Sequence, residues 1–200
     1  MQTSTGLDRR IVRTRDAIRE ALIDLMEEKG FEAISIKDIT DRANINRGTF
    51  YLHYHDKFDL LDQTETEIIE DMKQILIRED SLGLEEYMIS DRPHPIIIAL
   101  FEYIQARSRM MHAILGLKAN PNFQGRLKKA IESNLYFIGF AHHKSENDLL
   151  VPGEYLISYV AAAHMGVVQA WLNNGCRETP REMAQILSRL SFQGPFKAIR

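Results

Sequence analysis

The chain carries one cysteine, Cys176, in 200 residues. A single thiol excludes an intrachain disulfide framework and fits a reducing cytoplasm. Strand signals are nearly absent, because no alternating β-branched run stands between Asn-Gly or Asp-Gly turns. Catalytic patterns are missing too. The sequence has no phosphate-cradling glycine loop, no Ser/His/Asp order and no paired-carboxylate motif, so neither an enzyme nor a cofactor is predicted. The opening stretch "MQTSTGLDRRIVRTRDAI" lacks the apolar core of a secretory signal. A large excess of one charge is also lacking. The formal net charge of -3 excludes a protein that is basic all over, yet it leaves room for a local basic patch, which is what neutralises phosphates.

Long hydrophobic runs are scarce. The one that approaches membrane length is "YLISYVAAAHMGVVQAWL", Tyr155 to Leu172, which contains no Asp, Glu, Lys or Arg. Ser158, His164 and Gln169 interrupt it and alanines fill its centre, so its hydrophobicity is weak for a span. A helix packed between other helices is predicted there, with no membrane partner.

What the chain does have is helical periodicity. Ile18, Leu22, Leu25 and Met26 recur at helical spacing, and Gly30 follows where a C-cap belongs. Ser35 with Asp38 three residues on resembles a capping box before the apolar face of Ile36, Ile39, Ala43 and Ile45. Asn46 is positioned to cap a second short helix from Arg47, and Asp56 a long third one. Pro95, Pro152 and Thr179-Pro180 open later helices. "SLGLEEYMISDRP" reads as a loop or short helix and "HKSENDLL" as a polar connection. An all-α fold follows. Near residue 58 a charge-laced part gives way to a longer, more apolar one, which sets the expected domains at 1–57 and 58–200.

The stretch "NINRGTFYLHYHDKFDLL", residues 44–61, concentrates the chemistry. Two short helices braced by a preceding long one make a helix-turn-helix outline. Asn44 suits its turn, because asparagine visits the left-handed region readily. Arg47, Gly48 and Thr49 open the second helix, where a reading helix shows polar groups to base edges and phosphates. Phe50 and Tyr54 are four apart and share an inward face. Tyr51, His53 and Lys57 are left for a phosphate-contacting rim. A metal site at His53 and His55 is not predicted, since residues two apart on a helix diverge by about 200°; His55 falls in the bend before the long helix. Arg9, Arg10, Arg13 and Arg15 form a basic N-terminal arm that precedes the first helix or lies in its opening turns, either solvated or adding backbone contact.

At these residues the chain resembles a known family. "ISIKDITDRANINRGTFYLHYHDKFDLL" is similar to the N-terminal helix-turn-helix of TetR-family (TetR/AcrR) transcriptional regulators, whose usual form is T-[LF]-Y-x-[HY]-[FY]-x-x-K-x-x-L-L after an I-A-x-x-A-G-V turn. The resemblance covers about 45 residues and implies DNA contact at Lys37, Arg47, Gly48, Thr49, Tyr51, His53 and Lys57. It departs at the turn, where Asn44 replaces the usual glycine.

The same resemblance implies that the C-terminal part is a helical bundle for ligand binding and dimerisation. "YLISYVAAAHMGVVQAWLNNG" with "TPREMAQIL" looks like the family's last two helices, which form a four-helix bundle with a second copy. Ala161, Ala162, Ala163 and Gly166 agree, because small residues permit close helix approach. Candidate effector contacts are Phe101, Met111, His112, Phe137, His164 and Trp171, with Tyr103, Met110, Tyr136, Phe140 and Met165 behind them. Methionines and aromatics at helical spacing serve equally as core. The expected function is a ligand-responsive, homodimeric repressor on a palindromic operator in the bacterial cytoplasm, nucleoid-associated when bound to DNA. A ligand-responsive activator uses the same head with opposite sign. A helical adaptor with architectural DNA binding is the alternative from another class.

Overall fold

The computed structural model describes residues 4–78, 92–115, 121–140 and 149–194, with backbone alone at 4–8, 78, 121–122, 135–140 and 192. Among these the chain is helical, with no strand. It divides into two compact units, and the division falls between Ile68 and Ile69.

In the first unit, α1 (Ser4–Lys29) buries Ile18, Leu22 and Leu25, the i, i+4, i+7 stripe of an amphipathic helix. It stops at Gly30, whose φ of 76° is open to glycine without steric cost. A single 3-10 turn, Phe31–Ala33, leads to Ser35. There the expected capping box is present, and it starts α2 (Ile36–Arg42). The turn that follows holds Asn44 at φ 53°. Asn46 then caps α3 (Arg47–Tyr51) by accepting from the Thr49 N–H at 2.7 Å. Asp56 caps α4 (Lys57–Arg78), its carboxylate accepting from the N–H groups of Phe58 and Asp59 at 2.8 Å each. Ile39, Phe50, Tyr54 and Leu60 fill the core beneath these helices.

The unit runs past the expected boundary at 57/58, into the middle of α4. Leu60, Leu61 and Ile68 are buried, and α1 holds α4 from outside, with Arg15 bonded to Gln63 and Arg19 paired with Glu67. The composition shift near residue 58 coincides with the start of α4.

The second unit contains α5 (Pro95–Ala106), α6 (Ser108–Leu115), α7 (Pro121–Phe140), α8 (Gly153–Asn173) and α9 (Pro180–Phe192). Helix α5 packs on α9, and α8 packs on α6 and α7. Pro95 takes the first position of α5, and the ring nitrogen Nδ1 of His94 accepts from the Ile96 N–H at 3.1 Å. Phe101 and Trp171 meet edge-to-face with centroids 5.2 Å apart, and Ile104, Met111, Ile114, Phe123 and Leu187 complete the interior. A capping box of Thr179 with Glu182 starts α9.

Helix α8 is long and apolar enough to cross a membrane by length and composition, and 17% of its apolar window is buried within the chain. Its polar residues are committed to neighbouring helices, however. Ser158 accepts from Lys128 at 2.9 Å, Gln169 donates to the Leu115 carbonyl at 3.2 Å, and His164 meets Ser191 at 3.0 Å. The packed side is thus that of a bundle helix. The other side shows Tyr155, Tyr159, Ala162, Ala163, Gly166 and Ala170.

The segments 79–91 and 141–148, which include most of the expected loop after α4 and of the polar connection before α8, lie outside the described residues.

Candidate nucleic-acid interface

The orientation of α3 is fixed from both ends. At its start Asn46 accepts from both the N–H and the hydroxyl of Thr49, at 2.7 and 3.0 Å. Before that, Asn44 reverses the chain in the left-handed region, and the Ile45 N–H returns to the Thr40 carbonyl at 3.0 Å. On its inner side Phe50 is completely buried and Tyr54 almost so, with ring centroids 5.8 Å apart. With that pair held inside, Arg47, Gly48 and Tyr51 face solvent and Thr49 is half-buried. Tyr51 rests edge-on against Phe50, centroids 5.6 Å apart. The ring is therefore braced before it touches anything. Lys37 is exposed on α2.

Gly48 has little room for a side chain. A Cβ there would stand 3.3 Å from Asn46 Oδ1, the atom that caps the helix. A methyl group would press on the cap as well as on anything docking against the backbone.

Lys57 departs from its expected place on the rim. Its ammonium donates to the carbonyls of Phe31, Glu32 and Ile34 at 3.2, 3.0 and 2.9 Å. The rings of Phe31 and Phe58 lie 4.9 and 5.2 Å from the nitrogen. The chain around the 3-10 turn gathers three carbonyls, of which that of Phe31 also accepts from the Ile34 N–H at 3.2 Å, and a three-donor ammonium fits that cluster. His53 is half-buried beside the Tyr54 ring, with centroids 6.3 Å apart. His55 is exposed in the bend, and its backbone N–H donates to Asp59 at 2.8 Å.

The basic N-terminal segment lies within α1. Arg9, Arg10 and Arg13 are exposed on α1. Arg15 turns inward, donating to the Tyr54 hydroxyl at 3.4 Å and to Gln63 at 3.3 Å; the bond to Tyr54 raises its pKa further. One arginine that the motif did not single out braces the head. Arg42 at the end of α2 bridges to Glu28 at 2.7 Å and Asp24 at 3.4 Å on α1. A basic residue at a helix C-terminus facing two acids on another helix is visible only in three dimensions.

In the second unit the expected effector contacts separate. Phe101, Met111 and Trp171 are buried core, and the indole N–H of Trp171 donates to the Glu178 carbonyl at 3.0 Å. His112, a candidate effector contact, is exposed. The buried face of α6 is Met111, Ile114 and Leu115, and one helical step of about 100° carries His112 out of it. His164 is half-buried against Ser191, and burial lowers its pKa. Met165, Met110 and Tyr103 are half-buried, the last donating to Asp71 at 2.9 Å. The side chains of Tyr136, Phe137 and Phe140 lie outside the described residues.

Comparison with known proteins agrees with this geometry. Residues 18–64 match a family model described as bacterial regulatory proteins, tetR family, and residues 91–193 match one described as a transcriptional regulator C-terminal region. The chain is 30% identical over 186 residues to an uncharacterized HTH-type transcriptional regulator, YxbF, of Bacillus subtilis (strain 168). That match covers 90% of this chain and 44% of the relative, so the chain spans less than half of the relative's length. Among solved structures, a TetR transcriptional regulator from Streptococcus agalactiae 2603V superposes with a TM-score of 0.66 at 20% identity, covering 94% of this chain and 99% of that one. The transcriptional regulator FadR from Bacillus subtilis in complex with stearoyl-CoA superposes with a TM-score of 0.61 at 16% identity, covering 89% and 97%. At these identities the structures share the fold.

Proposed function

The chain belongs to the TetR family of DNA-binding bacterial transcriptional regulators, and from that premise we propose that it is a ligand-responsive, homodimeric repressor that binds a palindromic operator in the cytoplasm. The carrying observation is the presentation of α3. Phe50 is locked inward while Arg47, Gly48 and Tyr51 face outward. In this reading Arg47 bonds a guanine edge, Gly48 lets the duplex approach the backbone, and Thr49, Tyr51 and Lys37 hold phosphates. His53 contributes at the margin. Lys57 supports the head from behind.

Dimerisation supplies the specificity that one short helix lacks. Two heads related by a twofold axis read both halves of a palindrome and roughly add their binding energies. The uncharged outer side of α8, with α9, is the surface proposed to meet its copy. An effector held among the helices of the second unit biases the head through α4, which is one continuous helix from the first unit into the second. Such a ligand acts only through different affinities for the two states of the head. Phe101, Met111, His164 and Trp171 are the proposed neighbours of that ligand. Trp171 is the chain's one tryptophan, so its emission reports occupancy directly.

Selection of bound sequences from random duplex DNA tests the reading. The expected result is an enriched palindrome that also occurs beside a promoter. Binding without sequence preference would instead favour the architectural adaptor. The position of the palindrome relative to the promoter separates repression from activation.

A further inference from the structure

Leu52 follows the five residues of α3 as its C-cap, with φ -73° and ψ -20°, so it continues the helical path. It is 82% exposed, whereas Phe50, two residues earlier, has no exposure. Two residues correspond to about 200° of helical rotation. Leu52 therefore occupies the outward pole of the reading helix, opposite the anchor that Phe50 drives into the core. Gly48, four residues back and about 40° away, shares this pole and has no side chain. Tyr51 flanks the pole on one side at about 100°, Thr49 and His53 on the other at about 60° and 100°, and Arg47 stands about 140° away, nearer the back of the helix. The most forward part of the reading helix is thus an apolar knob beside bare backbone, with no side-chain donor or acceptor.

The hydrogen-bonding features of a major groove find nothing to pair with on that pole. The groove offers one apolar feature, the 5-methyl group of thymine. We propose that Leu52 is a specificity-determining residue that selects a thymine in each operator half-site by packing on that methyl group. This rests on the DNA-binding reading of α3. An exposed leucine also suits a protein partner, but the neighbours here are Thr49, Tyr51 and His53, with Arg47 on the same short helix, which suit a polyanion. Apolar contact with the base edge then removes from water a side chain for which the chain itself provides no cover.

The test uses the full chain and the palindrome obtained by selection. Each thymine of the half-site is replaced in turn, on both halves, by deoxyuridine, which deletes the methyl group and nothing else. At one position the wild type is expected to lose about fourfold in affinity per half-site, the change that corresponds to burying one carbon, ~0.8 kcal/mol. Leu52→Ala is expected to bind the parent operator as weakly as the wild type binds the uracil operator, and to lose nothing further on the uracil operator. Its melting temperature should match wild type, because the side chain is exposed. Insensitivity of the wild type to every methyl deletion would overturn the proposal, as would a half-site without thymine. So would equal sensitivity in Leu52→Ala, which would place the methyl contact on Tyr51 or another neighbour. Failure to enrich any sequence would overturn the DNA-binding reading itself, and Leu52 with it.

Discussion

The ammonium of Lys57 donates to the Ile34 carbonyl at 2.9 Å, tying the first turn of α4 to the strand of chain that enters α2. Two further carbonyls, of Phe31 and Glu32, complete its set of acceptors. Replacing Lys57 by Met keeps much of the stem packing and leaves those carbonyls without their charged donor. A net loss of about 2 kcal/mol is expected, in the range for hydrogen bonds to a charged group. Urea unfolding measures it. A lysine that served DNA phosphate instead would leave stability unchanged and lower the salt slope of DNA binding by about 0.9. The expected outcome is the reverse: a clear stability loss with the slope preserved.

Asn44 stands at φ 53°, a conformation that costs most side chains about 1–2 kcal/mol. Asn44→Gly should leave stability near wild type, because glycine adopts this region freely. Asn44→Ala should lose about 1 kcal/mol, with α3 less firmly set and operator affinity reduced in step. If both variants melted with the wild type, the turn would not be under backbone control.

Much of the head was legible in the sequence because its determinants are local. Ser35 with Asp38, Asn46 and Asp56 each act within three residues of themselves, and all three sit where the spacing placed them. The split of Phe50 and Tyr54 from Tyr51 followed from helical rotation alone. Partners distant in sequence were not legible. Lys57 meets carbonyls more than twenty residues away, and Arg15 reaches Tyr54 and Gln63 across the head. Their types announce charge but not direction. The exposure of His112 likewise depends on which face of α6 its neighbours bury, and the boundary inside α4 depends on what Leu61 and Ile68 pack against.

The capping box at α2 makes the head sensitive to acid. The Asp38 carboxylate accepts from the Ser35 hydroxyl at 2.6 Å and its backbone N–H at 2.8 Å, and pairs with Lys29 at 2.9 Å. The Ser35 hydroxyl first, then Lys29, hold its pKa well below the usual carboxylate range. A folded-state pKa depressed in this way gives stability that is fully present above the unfolded value of 3.8 and is lost as pH falls below it. Asp38→Asn cannot ionise. The stability gap between wild type and this variant should therefore be constant from about pH 6 to pH 5 and shrink below about pH 4. Parallel thermal melts across that window check it, and a gap independent of pH would mean that the carboxylate's charge is irrelevant to the cap.

From Tyr155 to Asn173, α8 carries no Asp, Glu, Lys or Arg. Tyr155, Tyr159, Ala162, Gly166, Ala170 and Asn173 recur at three- and four-residue steps on its exposed side, with Tyr155 at 68% and Tyr159 at 61% exposure. A regular apolar stripe with small residues at its middle lets a second helix approach closely. Ala162 lies at the centre of that stripe and is exposed within the chain. A glutamate there is accommodated in a monomer. In a twofold dimer it would be forced out of water against its own copy, and two unpaired carboxylates at an interface centre cost several kcal/mol. Ala162→Glu is therefore expected to keep the helical content of the wild type while its mass in solution falls from two chains to one. Operator affinity should fall to that of a single half-site, and a half-site duplex should bind wild type and variant alike. A variant that still weighs two chains would place the interface elsewhere on the second unit. A monomeric variant with full palindrome affinity would remove dimerisation from the basis of operator recognition.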